Sequence, residues 1–432
     1  MSQAQQPLAA RQRNWRDSIG AHLDDYALLW ALVAIVALLS LAPMLRLVAE
    51  GIAPGGTLST AALERVLSSS TTWIATGHSI VTALGGTLLA VAIGSTVALV
   101  VGLTDIRARN AFVFCFVMPL LIAPQVVALA WLSVFGPSSP LLKLLGAAPP
   151  IGSRNPLYSA GGIVAVLGVQ YAPLIFLTLR AALRTLPQEL IEAGLAGGAS
   201  PLRIMRTIVI PLMTPALLAG IALCFVSCLG NFGIPALLGI PGNYLVLPTL
   251  IYQRLSGLGP GALAEVALLS IVIGMIAVAG ILAQDVLLRR RDFRIASASV
   301  AARAFELRRA RLPVEIALWT LAGVVLALPM LALVLTSLVP AVGVSLGAAT
   351  ATLENFRFVL FEHAAAKRAF VNSFGLSAGA AVLIVLVAIP LAYFLVWRRS
   401  RLLRLVNFVT EVPYAIPGVV LAIAAILLFL KP

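Results

Sequence analysis

The chain has 432 residues, 61% of them hydrophobic and only 11% charged, with a formal net charge of +14. Ordinary soluble domains carry about a quarter charged residues, so this composition excludes a water-soluble fold and points to the lipid bilayer as the chain's surroundings. No basic run is interleaved with stacking aromatics, so the positive charge reads as loop arginines of a membrane protein, and no nucleic-acid partner is expected.

Residues 1–26 form a polar N-terminal segment with Arg11, Arg13 and Arg16. The apolar run that follows is longer than the core of a signal peptide and ends without a small-residue cleavage pattern, which predicts a retained first span. Crossing the hydrocarbon as a helix takes about 20 apolar residues. Windows of that kind predict nine spans, near 27–45, 75–103, 111–135, 158–179, 209–230, 266–286, 315–338, 371–397 and 407–430. No Asp, Glu, Lys or Arg lies between Arg65 and Asp105, Arg154 and Arg180, Arg206 and Arg254, or Arg368 and Arg398. Placing the N-terminus in the cytoplasm puts 21 of the 30 basic residues on that side, as the positive-inside bias requires.

The segment ELIEAGLAGGASPLRIMRTIVIPLMTP, 189–215, joins the fourth and fifth spans. It reads as two short helices. The first starts near Pro187 and ends at Gly197-Gly198, where glycine takes the positive φ that closes a helix; the second has Ser200 as N-cap and Pro201 at its first position. Leu202, Met205, Ile208 and Val209 share one predicted face, with Arg203 and Arg206 on the other. Such an amphipathic element suits either a partner protein or lipid headgroups.

After the fifth span, residues 231–261 form a long loop rich in Gly and Pro yet still apolar. Irregular backbone at membrane depth must be buried in protein or line a cavity, so this loop is either part of a pathway, with Asn231, Phe232 and Pro235 as candidate lining residues, or a packed outer loop. Cys224 and Cys228, four apart on one helix face, read as packed thiols rather than metal ligands. An Arg-rich cytoplasmic linker, 289–312, then separates a first apolar block, 27–288, from a second, 313–432.

The two blocks repeat. An offset of 294 residues aligns His78-Ser79 with Asn372-Ser373, Gly85 with Gly379, Arg107 with Arg401 and Pro119 with Pro413, and lays 118–135 over 412–429. The offset spans six helices, so both copies run in the same direction, a parallel duplication. The second copy holds three of the six spans and stops before any partner of the 187–212 loop, so the chain is expected to be a shortened version of the working protein. Polar residues inside spans are functional suspects; Ser79, Gln125, Asn372, Ser373 and Tyr414 join the candidate pathway, with helix-packing hydrogen bonds as the competing role. The three histidines are scattered and no GxxxxGK[ST] phosphate loop occurs, so no catalytic residue, cofactor or metal site is assigned.

Glu192-Ala193-Gly194, Gly198 six residues after the glutamate, and then Ile208, Ile210, Pro211 and Leu212 resemble the EAA loop of ATP-binding-cassette (ABC) importer permeases, E-A-A-x-x-x-G followed by nine variable residues and I-x-L-P. Gly194 stands for the second alanine and Ile210 for leucine. The resemblance implies an all-α polytopic membrane protein with the type I ABC-importer permease fold. The first module would occupy 27–288, with its EAA loop at 187–212, and a truncated second module 313–432. It further implies a coupling loop (Glu192, Ala193, Gly194, Gly198, Ala199, Ser200, Arg203, Arg206, Pro211) that docks on a cytoplasmic ABC ATPase dimer. A periplasmic substrate-binding protein and a bacterial inner-membrane location, N-terminus inside, follow as well. Two modules joined by an arginine-rich bridge, and the stretch LGNFGIPALLGIPGNYLVLPTLIYQ at 229–253, look most like the double-length ferric-iron permeases, with Asn231 in place of an expected acid. Ferric iron is therefore the expected substrate, with thiamine, polyamines or 2-aminoethylphosphonate as alternatives. A different class, an ion-gradient-driven transporter, predicts mid-span ionisable residues, which these runs lack.

Overall fold

The structure, a computed structural model, describes residues 27–54, 60–150, 152–257, 261–289, 305–341, 343–398, 403, 405–406, 409–410 and 418–430. These residues are mostly helical and contain no strand beyond one isolated bridge. Seven helices are long and apolar enough to cross a membrane. They are α1 (Ala27–Ile52), α3 (Ser70–Leu103), α6 (Ala160–Leu183), α8 (Pro201–Leu229), α11 (Ala262–Arg289), α12 (Arg308–Ser337) and α13 (Ala364–Arg398). Shorter helices are α2 (Ala61–Ser68), α4 (Arg109–Leu121), α5 (Pro124–Val134), α7 (Gln188–Ala196), α9 (Gly233–Leu238), α10 (Leu247–Ser256) and α14 (Gly418–Leu430).

The described residues fall into two compact units, one within 1–47, 359–414 and 423–432, the other within 48–358 and 415–422. In the first, Leu29, Leu32 and Val36 of α1 pack on Leu391 and Phe394 of α13 and on Leu403 and Val406. A helix from the start of the chain is thus buried against one from its last third. The second unit is built around α3, α6 and α8. Helices in a bilayer gain little from hiding apolar surface from one another, so close backbone approach through small residues supplies the contact. Ala75, Ala83, Ala90 and Ala98 of α3 have no exposed surface. At Gly94 a Cβ would stand 2.4 Å from the Ala172 carbonyl oxygen and 2.8 Å from Ile175 Cβ. Gly85, the other glycine suited to helix approach, would meet Val164 at 2.9 Å.

The third predicted span, 111–135, is not one helix. It is α4 and α5, bent by 104°. Pro124 lacks an N–H and its ring disfavours helical backbone at the preceding residue; Ala123 is accordingly extended at ψ 134°. The pair still traverses the bundle. Arg109 at its start donates to Gly102 O at 3.4 Å, beside Leu183, and Phe135 at its finish accepts from Asn155 Nδ2, just ahead of α6. The carbonyls freed at the break are met by the buried Gln170 of α6, whose Nε2 donates to Pro119 O at 2.9 Å. The fifth span also starts earlier than expected: the helix opening at Pro201 runs unbroken into it through a π-helical turn at Met205–Val209.

One helix start follows the 294-residue offset: α3 begins at Ser70 and α13 at Ala364.

Gly94→Val should cost about 1–3 kcal/mol through overpacking and lower the thermal midpoint of the purified protein. Gly77→Val on the same helix, where a Cβ meets nothing within 4 Å, should leave the midpoint in place. Equal effects would contradict the close-packing account.

Candidate functional site

Two regions carry the candidate residues. The first is the 187–212 segment, at the end of the second unit where Gly102 abuts Leu183. α7 ends at Gly197, Gly198 adopts φ +76°, and Ala199 N donates back to Gly194 O at 3.0 Å. Ser200 Oγ then caps the next helix by accepting from Arg203 N at 3.4 Å, with Pro201 at the first position. The turn folds α7 onto the start of α8. A Cβ on Gly194 would sit 3.2 Å from Ile204 Cγ1 and 3.3 Å from Ile208 Cδ1, so the position takes glycine comfortably and alanine with a small shift. Ile191, Ile204 and Val209 are buried in this seam.

The buried face differs from the predicted one. Leu202 is 61% exposed, and Ile204 takes its place in the core, because the π-helical turn after Ile204 advances the register of the residues that follow. Leu190, Leu195 and Leu202 are therefore exposed in this segment, as are the charged side chains of Glu192, Arg203 and Arg206. Glu192 Oε1 accepts from Gln188 Nε2 at 2.6 Å, one turn earlier. Ala193 is exposed, Ala199 half-buried, and Pro211 lies half-buried where α8 enters the bundle.

The second region is the 231–261 loop at the opposite end. It is folded rather than open: α9 and α10 lie in it, and side chains meet its backbone. Asn231 is buried; its Nδ2 donates to Tyr171 OH at 2.9 Å and its Oδ1 accepts from Ile234 N at 3.0 Å. Ser79 Oγ donates to Ala75 O at 2.8 Å and accepts from Leu247 N at 2.7 Å. His78 Nδ1 donates to Leu245 O at 2.9 Å, and its ring stacks on Tyr244 with centroids 3.7 Å apart. Burial pushes the Tyr244 phenol up, so it stays neutral. Pro235 is buried, whereas Gln125 is exposed and lies against Gly233; Phe232, half-buried, packs on Tyr252 at 5.1 Å. Asn372 and Ser373 are exposed on α13, and Tyr414 lies outside the described residues. Sequence reasoning passed over Gln170, His78 and Tyr171. Gln170 had a signal, an amide in an uncharged span opposite the two prolines of the broken helix.

Residues 86–292 match the family of binding-protein-dependent transport system inner membrane components. Across 332 residues, 75% of this chain, it is 28% identical to the probable ABC transporter permease protein y4fN of Sinorhizobium fredii, covering 57% of that protein. A putative ferric transport system permease protein, FbpB 1 of Haemophilus influenzae, is 30% identical over 36% of this chain and 24% of its own length. A putative 2-aminoethylphosphonate transport system permease protein, PhnU of Salmonella typhimurium, is 35% identical over 23% and 34%. The chain therefore spans from about a quarter to somewhat over half the length of these relatives. The fold is shared with a chain of a bacterial ABC transporter involved in the import of alginate, at 19% identity and a TM-score of 0.52, covering 64% of this chain and 99% of that one.

Asn231→Asp should be tolerated, since a carboxylate still accepts from Ile234 N and from the Tyr171 hydroxyl. Asn231→Ala, leaving a buried N–H unpaired, should cost about 1–3 kcal/mol, read as a lower thermal midpoint; equal midpoints would refute the tie. Gly198→Val, forced into left-handed backbone, should cost about 1–2 kcal/mol and speed amide hydrogen exchange across 188–200; unchanged exchange would refute the folded turn.

Proposed function

We infer, for a multi-pass membrane chain whose residues 86–292 match the binding-protein-dependent transport system inner membrane component family, that it is the permease subunit of an ABC importer. Its spans contribute to the translocation pathway and its 187–212 loop receives a separate cytoplasmic ATPase. The observation that carries this reading is the turn at Gly198 that folds α7 onto the start of α8 and leaves Leu190, Leu195 and Leu202 exposed, together with Glu192, Arg203 and Arg206, while α8 runs unbroken from Pro201 into its span. Exposed apolar and charged side chains in one segment suit a protein partner, and a rigid link into a span gives docking a mechanical consequence.

The working cycle is alternating access: ATP binding closes the ATPase dimer, the loop moves with it, and α8 carries the displacement into the bundle. Hydrolysis takes place in the partner subunit, and a periplasmic binding protein delivers the substrate. The protein resides in the bacterial inner membrane with its N-terminus and the 187–212 loop in the cytoplasm. The 294-residue spacing between the starts of α3 and α13 supports two tandem modules, the first at 27–288 and the second, at 313–432, carrying three spans. Ferric iron is the substrate we favour, on the double-module organisation and the likeness of the 229–253 stretch to ferric-iron permeases.

Expressed with its ATPase, the wild-type chain should hold that subunit through purification, while Leu195→Asp combined with Leu202→Asp should weaken association about tenfold or more, as expected of central apolar contacts. Undiminished association would dismiss the docking surface. Uptake of ferric iron, against aminoethylphosphonate and thiamine, then tests the substrate.

A further inference from the structure

The turn between α3 and α4 holds a polar junction that the transport reading leaves unused. Phe305 N donates to Leu103 O at 3.0 Å, and Thr104 and Phe305 form the single β-bridge among the described residues. Asp105 Oδ1 accepts from Leu307 N at 2.9 Å, and Asp105 Oδ2 accepts from Arg311 Nη2 at 2.6 Å. Arg311 Nη2 also donates to Asp105 O at 2.5 Å. On the other side, Glu315 Oε1 accepts from Arg107 N at 2.7 Å and lies 3.8 Å from Arg311 Nε. The three charged side chains are 17–30% exposed, and a turn further into the bundle Trp319 meets Phe112 edge-on at 5.7 Å.

The first turns of α12 are thereby fastened to the α3–α4 turn by backbone and side-chain bonds together. The same turn adjoins the 187–212 loop: Gly102 abuts Leu183, whose Cδ1 would lie 2.5 Å from a Cβ there, and Leu183 and the buried Leu186 lead directly into α7. A continuous packed route therefore runs from α7 through Leu183 and Gly102 to Asp105, and from Asp105 through Arg311 into α12. The repeat places Arg399 where the first copy has Asp105, so the acid belongs to the one turn that receives the linker.

We propose that Asp105 and Arg311 are positioning residues that carry movement of the 187–212 loop into α12, the first helix of the second module. This rests on the ABC-importer reading. Coupling requires an element that both sites bias, and a charged pair set between two backbone attachments makes the α3–α4 turn and the start of α12 move as one piece. A pair that only held the fold together would affect stability and leave the motion of α12 unaltered.

The test uses the full chain with its ATPase in lipid nanodiscs, in a background with Cys115, Cys224 and Cys228 replaced by alanine. Ala196→Cys on α7 and, separately, Leu312→Cys on α12 report thiol labelling rates with and without ATP and vanadate. Both reporters should respond in the otherwise unaltered chain. Asp105→Asn or Arg311→Gln should keep the α7 response and shrink the α12 response about fivefold or more; Arg311→Lys, which keeps a cation facing Asp105 and Glu315, should retain most of it. A full α12 response in both neutral variants, or Arg311→Lys no better than Arg311→Gln, overturns the proposal. A silent α7 reporter in the unaltered chain overturns instead the importer reading beneath it. Where the neutral variants fail to assemble with the ATPase, Arg311→Lys decides: both reporters responding supports the junction, and α7 responding alone overturns it.

Discussion

Inside this bundle no water is at hand for the backbone, so every carbonyl and amide that leaves a helical ladder must find a partner within the protein. The rest of the structure depends on that constraint. The helix broken between Leu121 and Pro124 is viable because Gln170 reaches across from α6 to Pro119 O. The folded loop opposite is viable because Asn231, Ser79, His78 and Thr249 each meet a backbone group there. Irregular backbone appears where an uncharged polar side chain waits for it, and these side chains are what an otherwise apolar chain spends its scarce polarity on.

Close packing provides the rigidity that such ties need. α3, α6 and α8 approach through glycines and alanines, with no space for another carbon at Gly94. Protein interiors transmit displacement because they are dense, and the unbroken helix from Pro201 to Leu229 joins the exposed loop to that dense centre. The folded turn at Gly198 and the seam at Gly194 keep α7 from swinging free of α8. A push on α7 is therefore a push on the bundle.

Much of this was legible in the sequence because it is written in short-range chemistry. Ser200-Pro201 announces a helix start, Gly197-Gly198 a helix end, and the glutamate-to-glycine spacing marks the loop. The 294-residue offset was read from a register that runs without gaps from Ser79 to Pro119. What escaped depends on three-dimensional neighbours. The break before Pro124 required weighing two prolines against an apolar window that looks continuous. Leu202 was assigned to the buried face because a π-helical turn leaves no trace in a period counted at 3.6 residues. Asn231 read as a missing acid, but its surroundings use it as donor and acceptor together. Asp105 was visible only as a charge ending a run, since its partner lies more than two hundred residues away.

The central claim is that the exposed face of the 187–212 segment is where an ATPase takes hold of the spans. A photo-crosslinking amino acid at Leu202, in membranes that contain the candidate ATPase, examines this without altering charge or backbone. The account predicts a crosslinked product containing the ATPase from Leu202 and none from Trp73, which is exposed on α3 toward the opposite end. Crosslinks from Leu202 to lipid alone, with the ATPase captured elsewhere or not at all, would contradict it.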